Sequence, residues 1–221
     1  MIIFLHIPKT SGTTIMRRIV PNNVICGHYP YGIHKYVKMF GITSEKFQYF
    51  TFLRNPIRRW NSHYNYILSA NNVKYKNSPL SKTIKSHNSN MLMDKGWLCN
   101  NMTKQLSGLG DFNDRFYTNE TLLSLNIYNP FSCFIHDNID MAKAFKIAKE
   151  NIKKFSFVGF VENTPNDYYR LCEQFGWSAP KIIPHLRETK YSCIINPKLI
   201  TEMNRYDFEL YNWAKDLFWK K

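Results

Sequence analysis

The stretch IIFLHIPKTSGTT, residues 2–14, carries the pattern that decides the fold. IIFLHI is an apolar run that stops at Pro8, small and hydroxyl-bearing residues follow, and TTIMRRIV (13–20) then spaces Ile15, Ile19 and Val20 at a helical interval. The order is strand, loop, helix. FQYFTFL (47–53) repeats the unit: it stops at Arg54, Pro56 stands where a helix can begin, and Trp60, Tyr64 and Ile67 recur on one face.

Further along, residues 137–155 predict an amphipathic helix with Ile139, Ala142, Phe145 and Ala148 on its inner side, leading into the strand FSFVGFV (155–161). A helix is expected from about Thr164 and Pro165, and a last one from about Pro197 carrying Leu199, Met203, Phe208, Leu210, Tyr211 and Ala214. Residues 71–96, rich in Asn, Ser and Lys without periodicity, read as a surface excursion. Strands alternating with helices predict an α/β fold with a mostly parallel central sheet flanked by helices, and ligands in such sheets bind beyond the carboxyl ends of the strands.

The 221 residues, 44% of them hydrophobic, suffice for one sizeable core, so residues 1–221 are expected to form one domain. No run approaches the roughly 18 apolar residues of a membrane span, and MIIFLHIPKT lacks the basic start and long apolar core of a signal peptide. The expectation is a cytoplasmic or otherwise soluble chain without an integral membrane segment. Cys26, Cys99, Cys133, Cys172 and Cys193 form no CxxC pair, which signals neither a zinc site nor a disulfide framework. A formal charge of +14 implies a surface that attracts anions, whether nucleotide, nucleic acid or acidic polysaccharide, and serves equally as a solvated basic surface.

HIPKTSGTT (6–14) lies where an α/β fold places a phosphate-binding loop. Lys9 supplies a mobile cation, Gly12 allows close backbone approach, and Thr10, Ser11, Thr13 and Thr14 supply hydroxyl donors at the positive end of the following helix. Lys9 precedes the glycine, so GxxxxGK[ST] is not matched. A plain strand-to-helix turn capped by Ser or Thr would use the same residues. In FLRNPIRRWNSHY (52–64), Arg54 ends the strand and Ser62 follows two helical turns later, so a phosphate between them could meet a guanidinium and a hydroxyl. A nucleoside-triphosphate enzyme more often places a Mg²⁺-binding Asp there, so no metal is expected.

These two segments resemble the nucleotide-binding signatures of the sulfotransferases that use 3′-phosphoadenosine 5′-phosphosulfate (PAPS). The subgroup most resembled contains the heparan sulfate and dermatan or chondroitin 2-O-sulfotransferases with their bacterial and viral relatives. GHYPYGIH (27–34), NNMTKQLSG (100–108), HLRETKYS (185–192), FVGFVE (157–162) and NRYDFELYNWA (204–214) are also similar to family segments. The resemblance implies a P-loop-like three-layer fold and a sulfotransferase that moves a sulfuryl group from PAPS to a carbohydrate hydroxyl, leaving 3′,5′-ADP. It puts Lys9, Thr10, Ser11, Gly12, Thr13 and Thr14 on the 5′-phosphosulfate, Arg54 and Ser62 on the 3′-phosphate, and Arg187 on a further donor contact. The animal enzymes carry an N-terminal membrane anchor, which is not expected for this chain.

Sulfuryl transfer needs a group that neutralises the leaving oxygen and a base for the acceptor hydroxyl. Lys9 suits the first task, and His28, which matches the family's catalytic histidine, suits the second. His6 reads as a packed or supporting residue; His34, His63 and His185 are candidate substrate contacts, and His87 and His136 have no motif. Glu162 is expected to hydrogen-bond structurally. Tyr29, Tyr31, Tyr36 and Trp97 are candidates for an acceptor cleft, although aromatic residues are core by default. The alternatives are a P-loop kinase-like phosphotransferase, which needs Mg²⁺ and an acidic ligand, and a basic nucleic-acid-binding module, for which no binding signature is present.

Overall fold

The computed structural model describes residues 1–21, 23–28, 30–34, 46–68, 99–109, 111–112, 134–135, 139–181 and 197–219. At its centre is a four-stranded, all-parallel sheet in the order β2-β1-β3-β6, made of β1 (Ile2–Leu5), β2 (Ile25–Gly27), β3 (Gln48–Leu53) and β6 (Phe157–Phe160). A separate antiparallel pair joins β4 (Asp111–Phe112) to β5 (Phe134–Ile135).

Successive strand residues point to opposite faces, and each face has its own core. Ile3, Leu5, Tyr49, Leu53, Val158 and Phe160 pack on one side with Met102 and Leu106 of α3 (Asn101–Ser107), Ala148 and Ile152 of α4 (Met141–Ile152), and Leu210 and Ala214 of α7 (Arg205–Phe218). Phe4, Phe50, Phe52 and Phe157 pack on the other with Ile15 of α1 (Gly12–Arg18) and Tyr168 and Leu171 of α5 (Asn166–Phe175). With helices on both faces, this is the α/β three-layer arrangement. No helix among the described residues is long and apolar enough to cross a membrane.

Phe4 and Phe50 stack with centroids 4.7 Å apart. The ring of Phe52 lies over Gly159, where an added Cβ would come within 2.5 Å of it. Sheet register and the small residue at 159 are therefore one packing solution.

The expected elements form, with shifted ends. Helix α2 (Pro56–Leu68) begins at Pro56 because the Asn55 Oδ1 accepts from the Ile57 and Arg58 N–H groups at 3.1 and 3.3 Å. Helix α4 begins at Met141, since Asp140 accepts from Ala142 and Lys143 and fixes its start. Its buried face is Ala144, Ala148, Asn151 and Ile152, and the expected Ala142 is exposed.

The last expected helix is two helices, α6 (Pro197–Met203) and α7. They are divided at the buried Asn204, whose amide donates to the Ile200 carbonyl at 3.0 Å. The Asn100 Oδ1 takes the Tyr206 and Asp207 N–H groups at 3.0 and 3.1 Å, satisfying the new helix start from outside.

Candidate active site

In the order β2-β1-β3-β6, the chain leaves β1 toward β2 on one side, whereas β3 and β6 extend the sheet on the other. The switch lies between β1 and β3, where parallel sheets open a crevice beyond their carboxyl ends. Lys9, from the loop after β1, and Arg54, directly after β3, meet there: the Arg54 Nη1 donates to the Lys9 carbonyl at 3.0 Å.

The loop is held in a costly conformation. Lys9 (φ 70°) and Ser11 (φ 62°) are both left-handed, which costs a non-glycine residue on the order of 1 kcal/mol or more. Arg54 fastens the Lys9 carbonyl. Thr10 is fully buried and directs both its hydroxyl and its N–H at the Ile7 carbonyl, at 2.8 and 3.3 Å, so Thr10 builds the loop. Thr14 is also buried. Lys9, Ser11 and Thr13 are partly exposed and are the side chains of this loop that face outward.

Gly12 is needed because its Cα abuts a ring: a Cβ there would stand 1.8 Å from the His6 Nε2. His6 shares a sheet face with Phe4, at 5.3 Å between centroids, and is buried. Burial, His28 and Lys9 hold its imidazole well below the usual histidine range. His6 is thus a packed neighbour of the loop, as expected, although it lies directly after β1 and not within it.

His28 follows β2. The parallel pairing of Leu5 with Gly27 places His28 beside His6, with ring centroids 4.2 Å apart. The His28 Nδ1 lies 2.8 Å from the His6 carbonyl oxygen. A carbonyl oxygen only accepts, so Nδ1 carries the proton and the neutral ring has its basic lone pair on Nε2. Burial lowers the His28 pKa to about 4; the His6 carbonyl opposes that fall and the Lys9 charge adds to it. The imidazole is neutral at pH 7.

His63, buried on α2, belongs to the same group. Its imidazole is held well below the usual range by burial and by Arg59, Lys9 and His28. His6, His28 and His63 are thus each held in the neutral form, and the Lys9 charge contributes to that at all three. Among the described residues, no three His, Cys, Asp or Glu side chains are placed to hold a metal ion.

Arg54 is half-buried, which lowers its pKa against the raising influence of Glu162. Glu162, in the single 3₁₀ turn after β6, accepts from the Asn55 N–H at 2.9 Å and the Tyr211 hydroxyl at 3.0 Å, the structural part expected of it. Ser62 is partly exposed on α2, the helix that starts beside Arg54. Tyr31 packs on Phe155 and Tyr49 at the edge of the core, and the His34 Nδ1 lies 2.8 Å from the Tyr49 hydroxyl. Arg187, His185, Tyr29, Tyr36, Trp97, His87 and His136 lie outside the described residues.

Sequence reasoning missed the support behind this group. Helix α3 has all seven residues buried, and Asp207 of α7 accepts from the Met102 and Thr103 N–H groups and the Thr103 hydroxyl at 3.1, 2.8 and 2.8 Å. The Asn151 amide of α4 donates to the Leu106 and Ser107 carbonyls at the other end. Fixed at both ends, α3 presents Gln105, whose Nε2 donates to the His6 carbonyl at 2.9 Å. The available signal was a polar side chain amid the apolar positions of α7, Asp207, and a polar block at 100–108 with no exposed face. No protein-family model matches the chain, and no curated protein matches it.

Proposed function

We propose that this chain transfers a sulfuryl group from PAPS to an acceptor hydroxyl, with a carbohydrate as the acceptor. The observation that carries the reading is His28: its Nδ1–H is committed to the His6 carbonyl, which leaves the basic Nε2 lone pair in the group of side chains around Lys9. A neutral imidazole oriented through one nitrogen is suited to accept a proton at the other.

The donor set fits an anionic nucleotide. The loop offers the Lys9 ammonium and the partly exposed Ser11 and Thr13, and Arg54, bonded to the Lys9 carbonyl, and the partly exposed Ser62 would take a second phosphate. PAPS supplies an activated sulfuryl group whose bond to a phosphate oxygen can be broken. As the acceptor oxygen bonds to sulfur, the His28 Nε2 takes its proton. Lys9 stabilises the negative charge left on the phosphate oxygen when the old S–O bond breaks. His6, buried under Gly12, keeps the loop and the base in register.

The net charge of +14 supports an acidic acceptor, since one nucleotide does not require so large an excess. The direct test is transfer of labelled sulfate from PAPS across a panel of sulfated and unsulfated glycans, small alcohols and peptides, with and without EDTA. Transfer that persists in chelator supports the proposal, and absence of transfer to every member overturns it. For an acidic glycan, the KM should rise steeply with salt, because exposed charges are screened beyond about 8 to 10 Å at 0.1 to 0.15 M. Heparin should compete.

A further inference from the structure

The His6 carbonyl oxygen is a junction of three parts of the chain. It lies directly after β1, accepts from the His28 Nδ1 at 2.8 Å, and accepts from the Gln105 Nε2 at 2.9 Å. Gln105 also grips the loop that follows His28, because its own backbone carbonyl accepts from the Tyr31 N–H at 2.9 Å. Directly past the end of α3, Gly108 (φ 68°) lies so close to the Tyr31 carbonyl that a Cβ would clash with the oxygen. One turn of a clamped, buried helix therefore touches both the acceptor of the His28 proton and the backbone three residues beyond His28.

We propose that Gln105 is a positioning residue for His28, acting through the shared His6 carbonyl and the Tyr31 backbone. The inference rests on reading His28 as the base, but its own consequence concerns the ring of His28 and is measurable without turnover. An amide N–H on the carbonyl oxygen partly offsets the negative potential that the oxygen presents to the imidazole. That oxygen stabilises the imidazolium through the Nδ1–H bond, so the second donor keeps His28 neutral to lower pH. The other titratable groups facing His28 are His6 after β1, Lys9 in the loop and His63 on α2. All three remain in a Gln105 variant, so a change in His28 titration reports the amide.

The test is an NMR titration of the ¹⁵N-labelled histidine ring in the full chain. In the parent protein at pH 7, His28 should be the tautomer protonated on Nδ1. Gln105→Met keeps the side chain's length and removes its donor, and should raise the His28 midpoint by about one pH unit. Gln105→Glu, nearly isosteric, brings a carboxylate to the same oxygen and should raise it further. Both variants should lower kcat by about tenfold or more with 3′,5′-ADP affinity unchanged.

An Nε2-protonated ring in the parent protein, or a His28 midpoint equal to the parent's in a folded variant, overturns the proposal. The Nε2-protonated result in the parent protein overturns it even if neither variant folds. Shifted titration without any sulfuryl transfer would leave Gln105 as a positioning residue and remove the proposed function alone.

Discussion

The Arg54 guanidinium donates to the Lys9 carbonyl at 3.0 Å, joining the ends of the two central strands across the crevice of the sheet. One residue thereby serves the loop conformation and, through its remaining donors, any anion bound beside it. Arg54→Ala should weaken 3′,5′-ADP binding by about tenfold or more and 5′-AMP binding much less, since a hydrogen bond to a charged group contributes about 1.5 to 3 kcal/mol. Ser62→Ala should do the same more weakly. Calorimetry with both nucleotides checks this; equal losses would move the 3′-phosphate site elsewhere.

Replacing the proposed base and the proposed cation separates their parts. His28→Ala is expected to lower turnover by about 10²- to 10⁴-fold, and Lys9→Ala by about 10²-fold or more, with circular dichroism unchanged. Because His28 titrates near 4, the acid limb of kcat against pH should fall near pH 4 in the parent protein. A limb centred at the ordinary histidine value would exclude His28 as the base.

The same depressed pKa values make stability depend on acid. His6, His28 and His63 are held neutral in the folded protein, whereas the unfolded chain protonates them near pH 6.5. Below that value the unfolded state binds more protons, so unfolding free energy must drop as pH falls from about 6.5 toward 4. Thermal melts across this window should show a falling Tm, and His63→Phe or His63→Leu should flatten the slope. A Tm independent of pH would contradict the burial of these rings.

Two glycines predict different failures. Gly12→Ala drives a Cβ into the His6 ring and should remove nucleotide binding as well as costing about 1 to 3 kcal/mol. Gly159→Ala meets the Phe52 ring in the core and should cost a similar amount of stability with binding retained in the folded fraction. Urea unfolding paired with 3′,5′-ADP titration distinguishes them, and a Gly12→Ala protein that binds normally would refute the close packing described.

Asp207 faces Arg59 at 3.9 Å, both fully buried, and also caps α3. Asp207→Asn should cost about 3 to 5 kcal/mol in chemical denaturation, the usual effect of removing one partner of a buried ion pair. Arg59→Met combined with Asp207→Leu should not restore stability, because the α3 N–H groups lose their acceptor in either case. Recovery in the double variant would show that the ion pair alone mattered.

What the sequence by itself determined is the layered α/β plan. The short apolar runs IIFLHI and FQYFTFL and the helical spacing after Pro8 and Pro56 are local signals, produced by side chains one to four residues apart. The same locality marked Lys9, Gly12, Arg54 and the structural Glu162. Tertiary structure decided which donors of the loop face outward, and it turned Thr10 inward onto Ile7.

It also split the last helix at Asn204, where Asn100, over one hundred positions away in the chain, offers a better acceptor than the helix itself. His28 owes its tautomer to a carbonyl 22 residues earlier, and that carbonyl takes a second donor from an amide 99 residues away. A buried polar group must find a partner wherever the fold brings one, and that pairing leaves no periodic trace in the sequence.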